Sequence, residues 1–267
     1  MSGLDALILG IVQGLTEFLP ISSDGHLALA EHLLGLRASG AVTGIFVDVT
    51  VHVATLAAII VAFREPIAAL AAGLLRGARR AWQDLGLYAV ASVPAAVAGL
   101  LAKDAIASLY TSLPFVGAAF VLMGVILWSA RGKMHGTRER PNVWEAFVIG
   151  VGQAAAIAPA ISRSGCTITA ALWRGIDPVR AAEFSFVLGV PAIAGAALLE
   201  VKDAASGIAQ VGKGPLGIAF AAAFLSGLFA IGLLRRLLRA RAFHRFAPYL
   251  WVLGVLTLVL AAARGAT

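Results

Sequence analysis

Charge is what this chain has least of. Asp, Glu, Lys and Arg together make up 13% of its 267 residues, against 60% hydrophobic residues and a mean hydropathy of +0.91. So few charged groups cannot wet the surface of a soluble globule, which excludes that class and implies a multi-spanning integral membrane protein. Cysteine is almost missing as well. The one thiol, Cys166, excludes an internal disulfide and leaves the redox compartment open. No G-x-x-x-x-G-K-[S/T] loop occurs, so hydrolysis coupled to ATP is not expected. No basic stretch precedes an apolar run at the start of the chain, so no cleavable signal is expected there. Acidic residues are outnumbered 14 to 21, for a net charge of +7, yet no basic domain stands apart from the apolar sequence. Nucleic acid is therefore not an expected partner, and the charge points to membrane orientation and attraction to anionic lipid.

What the chain does have is apolar runs. A helix needs about 20 apolar residues to cross the hydrocarbon, and six stretches meet or approach that: 43–63, 86–102, 113–130, 179–199, 215–234 and 246–263. Two more, 4–35 and 143–174, are interrupted halfway by Pro20-Ile21-Ser22-Ser23-Asp24-Gly25 and by Pro159-Ala160-Ile161-Ser162-Arg163-Ser164-Gly165. Each half is too short to span, so each segment reads as a re-entrant helical hairpin. An ordinary helix kinked at proline would instead leave Ser-Ser-Asp and Ser-Arg-Ser facing lipid. The expected fold is an all-α integral membrane protein with six transmembrane helices and two re-entrant helical hairpins in one membrane domain, 1–267.

A repeat organises these segments. Asp5-Ala6, Gly10, Gln13 and Ile21-Ser22 recur 140 positions later as Glu145-Ala146, Gly150, Gln153 and Ile161-Ser162. The halves run over about 1–130 and 141–267. Arginine-rich clusters at 76–80, 131–140 and 235–245 all fall on one side if the two halves are inverted, whereas 103–112 and 200–214 carry only Lys103, Lys202 and Lys213. The positive-inside rule places the clusters in the cytoplasm. An inverted-topology repeat with one polar turn in each half is the pattern expected when a site forms between them.

The first turn offers Gln13 and Glu17 on one helix face, then Ser22, Ser23, Asp24 and His26; the second offers Ser162, Arg163, Ser164 and Thr167. Ionisable groups at membrane depth are costly and mark function when they cluster. Carboxylates with a guanidinium suggest a phosphate held by Arg and by a divalent cation, Mg2+ or Ca2+, on Glu17. Serines that open the second half-helices favour the same anion. Gln13 and Gln153 read equally as partners of backbone carbonyls near the breaks, and Ser22 and Ser164 as helix caps. Asp48 and His52, four apart, read as supporting residues, Cys166 as packing, Glu183 as an ion-pair partner, and Trp128, Trp144 and Trp251 as interfacial anchors.

Residues 13–27, Gln-Gly-Leu-Thr-Glu-Phe-Leu-Pro-Ile-Ser-Ser-Asp-Gly-His-Leu, resemble the [E/Q]-x-x-x-E motif and serine-histidine turn of the undecaprenyl-diphosphate phosphatases, or bacitracin-resistance proteins. Residues 159–167 are similar to that family's P-G-x-S-R-S-G-x-T motif. The resemblance implies removal of the terminal phosphate of a polyprenyl diphosphate lipid in a bacterial plasma membrane, at a site opening to the periplasm, with a divalent cation. It implies Glu17 at the metal, Ser23 and His26 in phosphoryl transfer, and Ser162, Arg163 and Thr167 on the diphosphate. Gln13 takes the first motif position, so Asp24 or Asp48 would compensate as metal ligands. Three departures stand out: Asp24 for threonine, Ala160 for glycine and Cys166 for a small residue. A transporter or flippase of polyprenyl phosphate lipids is the alternative from another class. Small residues at 194–197 and 217–227 permit contacts within the chain or with a second copy, as in a homodimer.

Overall fold

The computed structural model describes residues 1–36, 41–101, 109, 112–204 and 212–265, and among them the chain is helical with no strand. In chain order the helices are α1 (Gly3–Phe18), α2 (Ser23–Leu33), α3 (Ala41–Ala62), α4 (Arg64–Leu75), α5 (Arg79–Leu101), α6 (Leu113–Ser129), α7 (Val143–Ala155), α8 (Arg163–Trp173), α9 (Pro178–Ala204), α10 (Lys213–Arg239) and α11 (Ala247–Gly265). A 3-10 turn over Phe243–Phe246 precedes α11. Each of the six apolar stretches falls on a helix. Most of the sparsely charged segment 103–112, and residues 205–211 of the segment 200–214, lie outside the described residues.

By length and composition three helices suffice to cross a membrane: Arg79–Leu101, Lys213–Arg239 and Phe243–Ala263. A fourth span arises if Val47–Ala62 and Arg64–Leu75, bent by 76°, count as one. Their outer faces are apolar. Val93, Val97, Leu225, Phe229, Val252 and Val259 are all exposed, which water would penalise and hydrocarbon would not. The bend was not expected. The stretch 43–63 ends at Phe63, and Arg64-Glu65-Pro66 starts α4 with a proline in its first turn, a position proline tolerates.

The helix starts carry the repeat. α1 and α7 begin 140 positions apart, and so do α2 and α8. α1 and α7 also begin with the same device. Ser2 accepts from the Asp5 amide and Asp5 from the Ser2 amide; Asn142 and Glu145 exchange the same two bonds at 2.9 Å each. Such a capping box satisfies two of the amides that a helix start leaves open.

The chain forms two compact units, Met1–Leu19 with Ser23–Arg64 and Gly189–Leu233, and Pro20–Ser22 with Glu65–Leu188 and Leu234–Thr267. In the first, α1 packs on α2, α3 and α10 around Ala6, Leu9, Leu27, Val51, Ala54 and Ala223. Contact with α10 requires glycine: a Cβ on Gly14 would sit 2.1 Å from Ser226 Oγ and 2.3 Å from the Ala223 carbonyl. In the second unit α7 packs on α5 and α8, and α6 on α11 and α8. There Gly150, the repeat mate of Gly10, would place a Cβ 2.4 Å from the Ala91 carbonyl. Backbone-to-backbone approach of this kind is how helices associate where lipid removes the hydrophobic drive between them.

Candidate active site

Near the start of the chain α1 ends at Phe18, Pro20 breaks the chain and α2 restarts at Ser23. Ser22 holds the turn with φ at +71°, a left-handed conformation that serine seldom takes. Ser22 is therefore the hinge of this turn, directly before the first residue of α2. The turn brings Ser23 back onto α1, where its hydroxyl donates to Glu17 Oε2 at 2.7 Å. Gln13, fully buried, donates its amide to the same oxygen at 3.3 Å and not to a backbone carbonyl. Its own Oε1 is buried without a hydrogen-bond partner among the described residues. Ser23 and His26 are half-buried and Asp24 is exposed. Proximity of serine to carboxylate is the arrangement of a nucleophile with its base.

Helix α3 adds His52, whose Nδ1 lies 2.7 Å from the Asp48 carbonyl, so Nδ1 carries a proton and donates it there. Glu17, Asp24 and Asp48 all act electrostatically on this ring. Sequence reasoning gave His52 a supporting place only; its spacing from Asp48 was the available signal. Among the described residues no three His, Cys, Asp or Glu side chains converge into a metal cage. Glu17, Asp24 and Asp48 thus form no closed three-ligand site. That donor set still fits a cation carried in by phosphate oxygens, because magnesium commonly takes only one or two carboxylates from the protein.

In the second unit Ala160 takes the left-handed turn, with φ at +62°, two residues before α8. Ser162 caps α8, its hydroxyl accepting from the Gly165 amide at 3.1 Å. Ser164 was the expected cap; it is instead fully buried, 3.2 Å from the Ser162 hydroxyl. Thr167, also fully buried, donates to the Arg163 carbonyl at 2.8 Å and meets Ser185 of α9 at 2.5 Å. Cys166 packs against Met123 of α6, sulfur to sulfur at 3.8 Å. Arg163 is half-buried at the first residue of α8, where free amides and the helix dipole favour an anion.

A clasp closes the base of this hairpin. Arg138, from the loop before α7, donates to both carboxylate oxygens of buried Glu145 at 2.9 and 2.7 Å, and to the Arg174 carbonyl at the end of α8. Main-chain bonds from Arg138 reach Gly175 and Asp177. Glu145 beside it holds the Arg138 guanidinium above its ordinary pKa. Glu183 pairs with Arg180 at 3.0 Å, the ion-pair role expected of it.

Apolar spanning helices and two polar turns, one carrying a serine-carboxylate pair and the other a capped helix start with arginine, define a membrane-embedded helical protein equipped for phosphoryl chemistry. The family model of bacitracin resistance protein BacA matches residues 6–256. An undecaprenyl-diphosphatase of Carboxydothermus hydrogenoformans is 40% identical over 98% of this chain and 99% of its own. One of Desulfosudis oleivorans is 39% identical over 97% and 98%, and undecaprenyl-diphosphatase 4 of Bacillus cereus is 39% identical over the same shares. The chain belongs to the bacitracin resistance protein BacA family.

Proposed function

We propose that this protein removes the terminal phosphate of undecaprenyl diphosphate, regenerating the monophosphate carrier of cell-envelope synthesis and conferring bacitracin resistance. Family membership and relatives named for that activity, similar over nearly the whole chain, support the reaction. The observation that carries the chemistry is the 2.7 Å bond from Ser23 to Glu17 inside the motif. Glu17 takes the hydroxyl proton as Ser23 Oγ attacks the terminal phosphorus, and the bridging oxygen leaves with the monophosphate lipid. His26 serves proton transfer on the same turn, and water then releases phosphate from the serine. Arg163 holds the diphosphate with Ser162 and the amides of α8, while Ser164 and Thr167 shape that turn from inside. Gln13 fixes Glu17, and Ser22 sets the angle of α2. A divalent cation, Mg2+ or Ca2+, held by Glu17 with Asp24 or Asp48, offsets phosphate charge when bound.

The setting is a bacterial plasma membrane crossed by six helices, with two re-entrant hairpins in an inverted repeat. The matched helix starts and capping boxes support this arrangement. The basic loops are cytoplasmic and the site opens to the periplasm. Gly217 and Gly232 of α10, with nothing within 4 Å of their Cβ positions, leave a strip where a second copy would dock.

Purified protein in detergent tests the reaction directly. Phosphate release from undecaprenyl diphosphate requires a divalent cation, and Glu17→Gln and Ser23→Ala each lower kcat by about 100-fold or more. Arg163→Ala raises KM. Undiminished release from Glu17→Gln removes the assignment of the base, and undiminished release from Ser23→Ala transfers the attack to water.

A further inference from the structure

The second unit carries an uncompensated cationic corner that the reaction does not use. It forms where α6 ends and α11 begins. The Arg131 guanidinium lies 5.0 Å from the centre of the Trp128 ring. Trp128 in turn meets the edge of the His244 ring at 5.6 Å and the Trp251 ring at 5.6 Å. Arg131 and Arg245 both lie within electrostatic reach of His244. Trp173, at the end of α8, joins the same corner by donating to Ser129 at 3.1 Å.

Two features distinguish this corner from an ordinary basic loop. The first is charge: the sequence has no acidic residue between Asp104 and Glu139 and none after Asp203, so neither element forming the corner supplies a counter-ion. The second is the aromatic wall: the Arg131 guanidinium lies over Trp128, and His244 and Trp251 flank the same ring. Two guanidinium groups with no carboxylate on either element call for a ligand that is anionic and rich in oxygen. Tryptophans around such a charge sit where headgroup meets acyl chain. Arginine stacked on tryptophan also keeps its planar fork presented for phosphate.

We propose that this corner binds the phosphate headgroup of an anionic glycerophospholipid. Arg131 and Arg245 hold the phosphate oxygens, and Trp128 and Trp251 cover the glycerol and the first methylenes. The site is separate from the catalytic reading above and does not depend on it.

Tryptophan fluorescence provides the test, because the corner contains its own probes. Protein in detergent is titrated with phosphatidylglycerol or phosphatidylcholine brominated on the acyl chains. Brominated phosphatidylglycerol quenches at a mole fraction roughly 30-fold lower, the preference that two arginines near a membrane surface supply. Arg131→Gln and Arg245→Gln each reduce that preference several-fold, and together they abolish it, while phosphate release is unchanged. Equal quenching by the two lipids, or full preference retained in the double variant, overturns the site. Displacement of the lipid by millimolar inorganic phosphate overturns the lipid assignment and makes it a site for the free ion. Should the double variant fail to fold, the two single variants decide the matter by the same readout.

Discussion

Ser22 and Ala160 carry the conformations that make each polar turn, at φ of +71° and +62°. An L-residue in the left-handed region costs roughly 1–2 kcal/mol, and for Ala160 the alternative is glycine. Its methyl group is 1% exposed, and burying one such group contributes about 0.8 kcal/mol. The two effects nearly cancel, so Ala160→Gly should leave the thermal midpoint in detergent within a degree or two of the original. A β-branched side chain has no such balance. Ala160→Val should cost more than about 2 kcal/mol, from the left-handed backbone and from overpacking, and a valine variant as stable as the parent would refute the strain. The family resemblance had singled out Ala160 as the departure in this turn, and the turn forms nonetheless. What they did not convey is which serine does what. Ser22, Ser23, Ser162 and Ser164 look interchangeable in sequence, yet one is a hinge, one bonds Glu17, one caps α8 and one is buried. The difference lies in φ and in the chain that packs behind each turn, which residue type does not encode.

Helix α8 is held at both ends by different means: Ser162 caps its start, and Arg138 ties its last carbonyl region to Glu145 at the start of α7. Gly175, left-handed at +76°, lets the chain leave α8 and meet the Arg138 loop as a parallel bridge to Ile176. Glu145 is nearly buried, its side chain 4% exposed. Removing Arg138 leaves this buried carboxylate with only the Asn142 amide and the more distant Arg174, 3.8 Å away, a loss of up to about 3 kcal/mol. Arg138→Ala should therefore loosen the base of the hairpin, and the sole cysteine reports it. Cys166 is buried on α8, so its modification by a small maleimide measures opening. The labelling rate should rise by about tenfold or more in Arg138→Ala, and Arg138→Lys should restore little, since lysine lacks the fork. Unchanged labelling with unchanged KM would reduce the clasp to decoration. The helices themselves were legible from hydropathy, and so were the two breaks. The clasp was not, because Arg138 reads as one more positive charge in a basic loop. Nor was α4: twelve residues opened by Arg64-Glu65-Pro66 are too short to register as a span.

For the whole molecule, the membrane class followed from composition, and the repeat from Gln and Ser on a fixed register. The partners of each helix did not follow. Small residues at 217–227 announce that α10 approaches something closely, but only the structure pairs Gly14 with Ser226 and Gly150 with Ala91. Orientation is the remaining property that charge alone decides. α10 runs from Lys213 to Arg239, a rise of about 40 Å at 1.5 Å per residue, enough to reach both interfaces. Lys213 stands at one end, while Arg235, Arg236, Arg239, Arg241 and Arg245 gather at the other. Each arginine carried across the membrane works against insertion and is retained on the cytoplasmic side. Gly214→Cys and Ala240→Cys, each made in a Cys166→Ala chain, therefore separate the two faces, both positions being exposed. In intact cells a membrane-impermeant maleimide should label Gly214→Cys and reach Ala240→Cys only after the membrane is opened. The reverse pattern would invert the protein, and with it the periplasmic mouth proposed for the Glu17 and Ser23 turn.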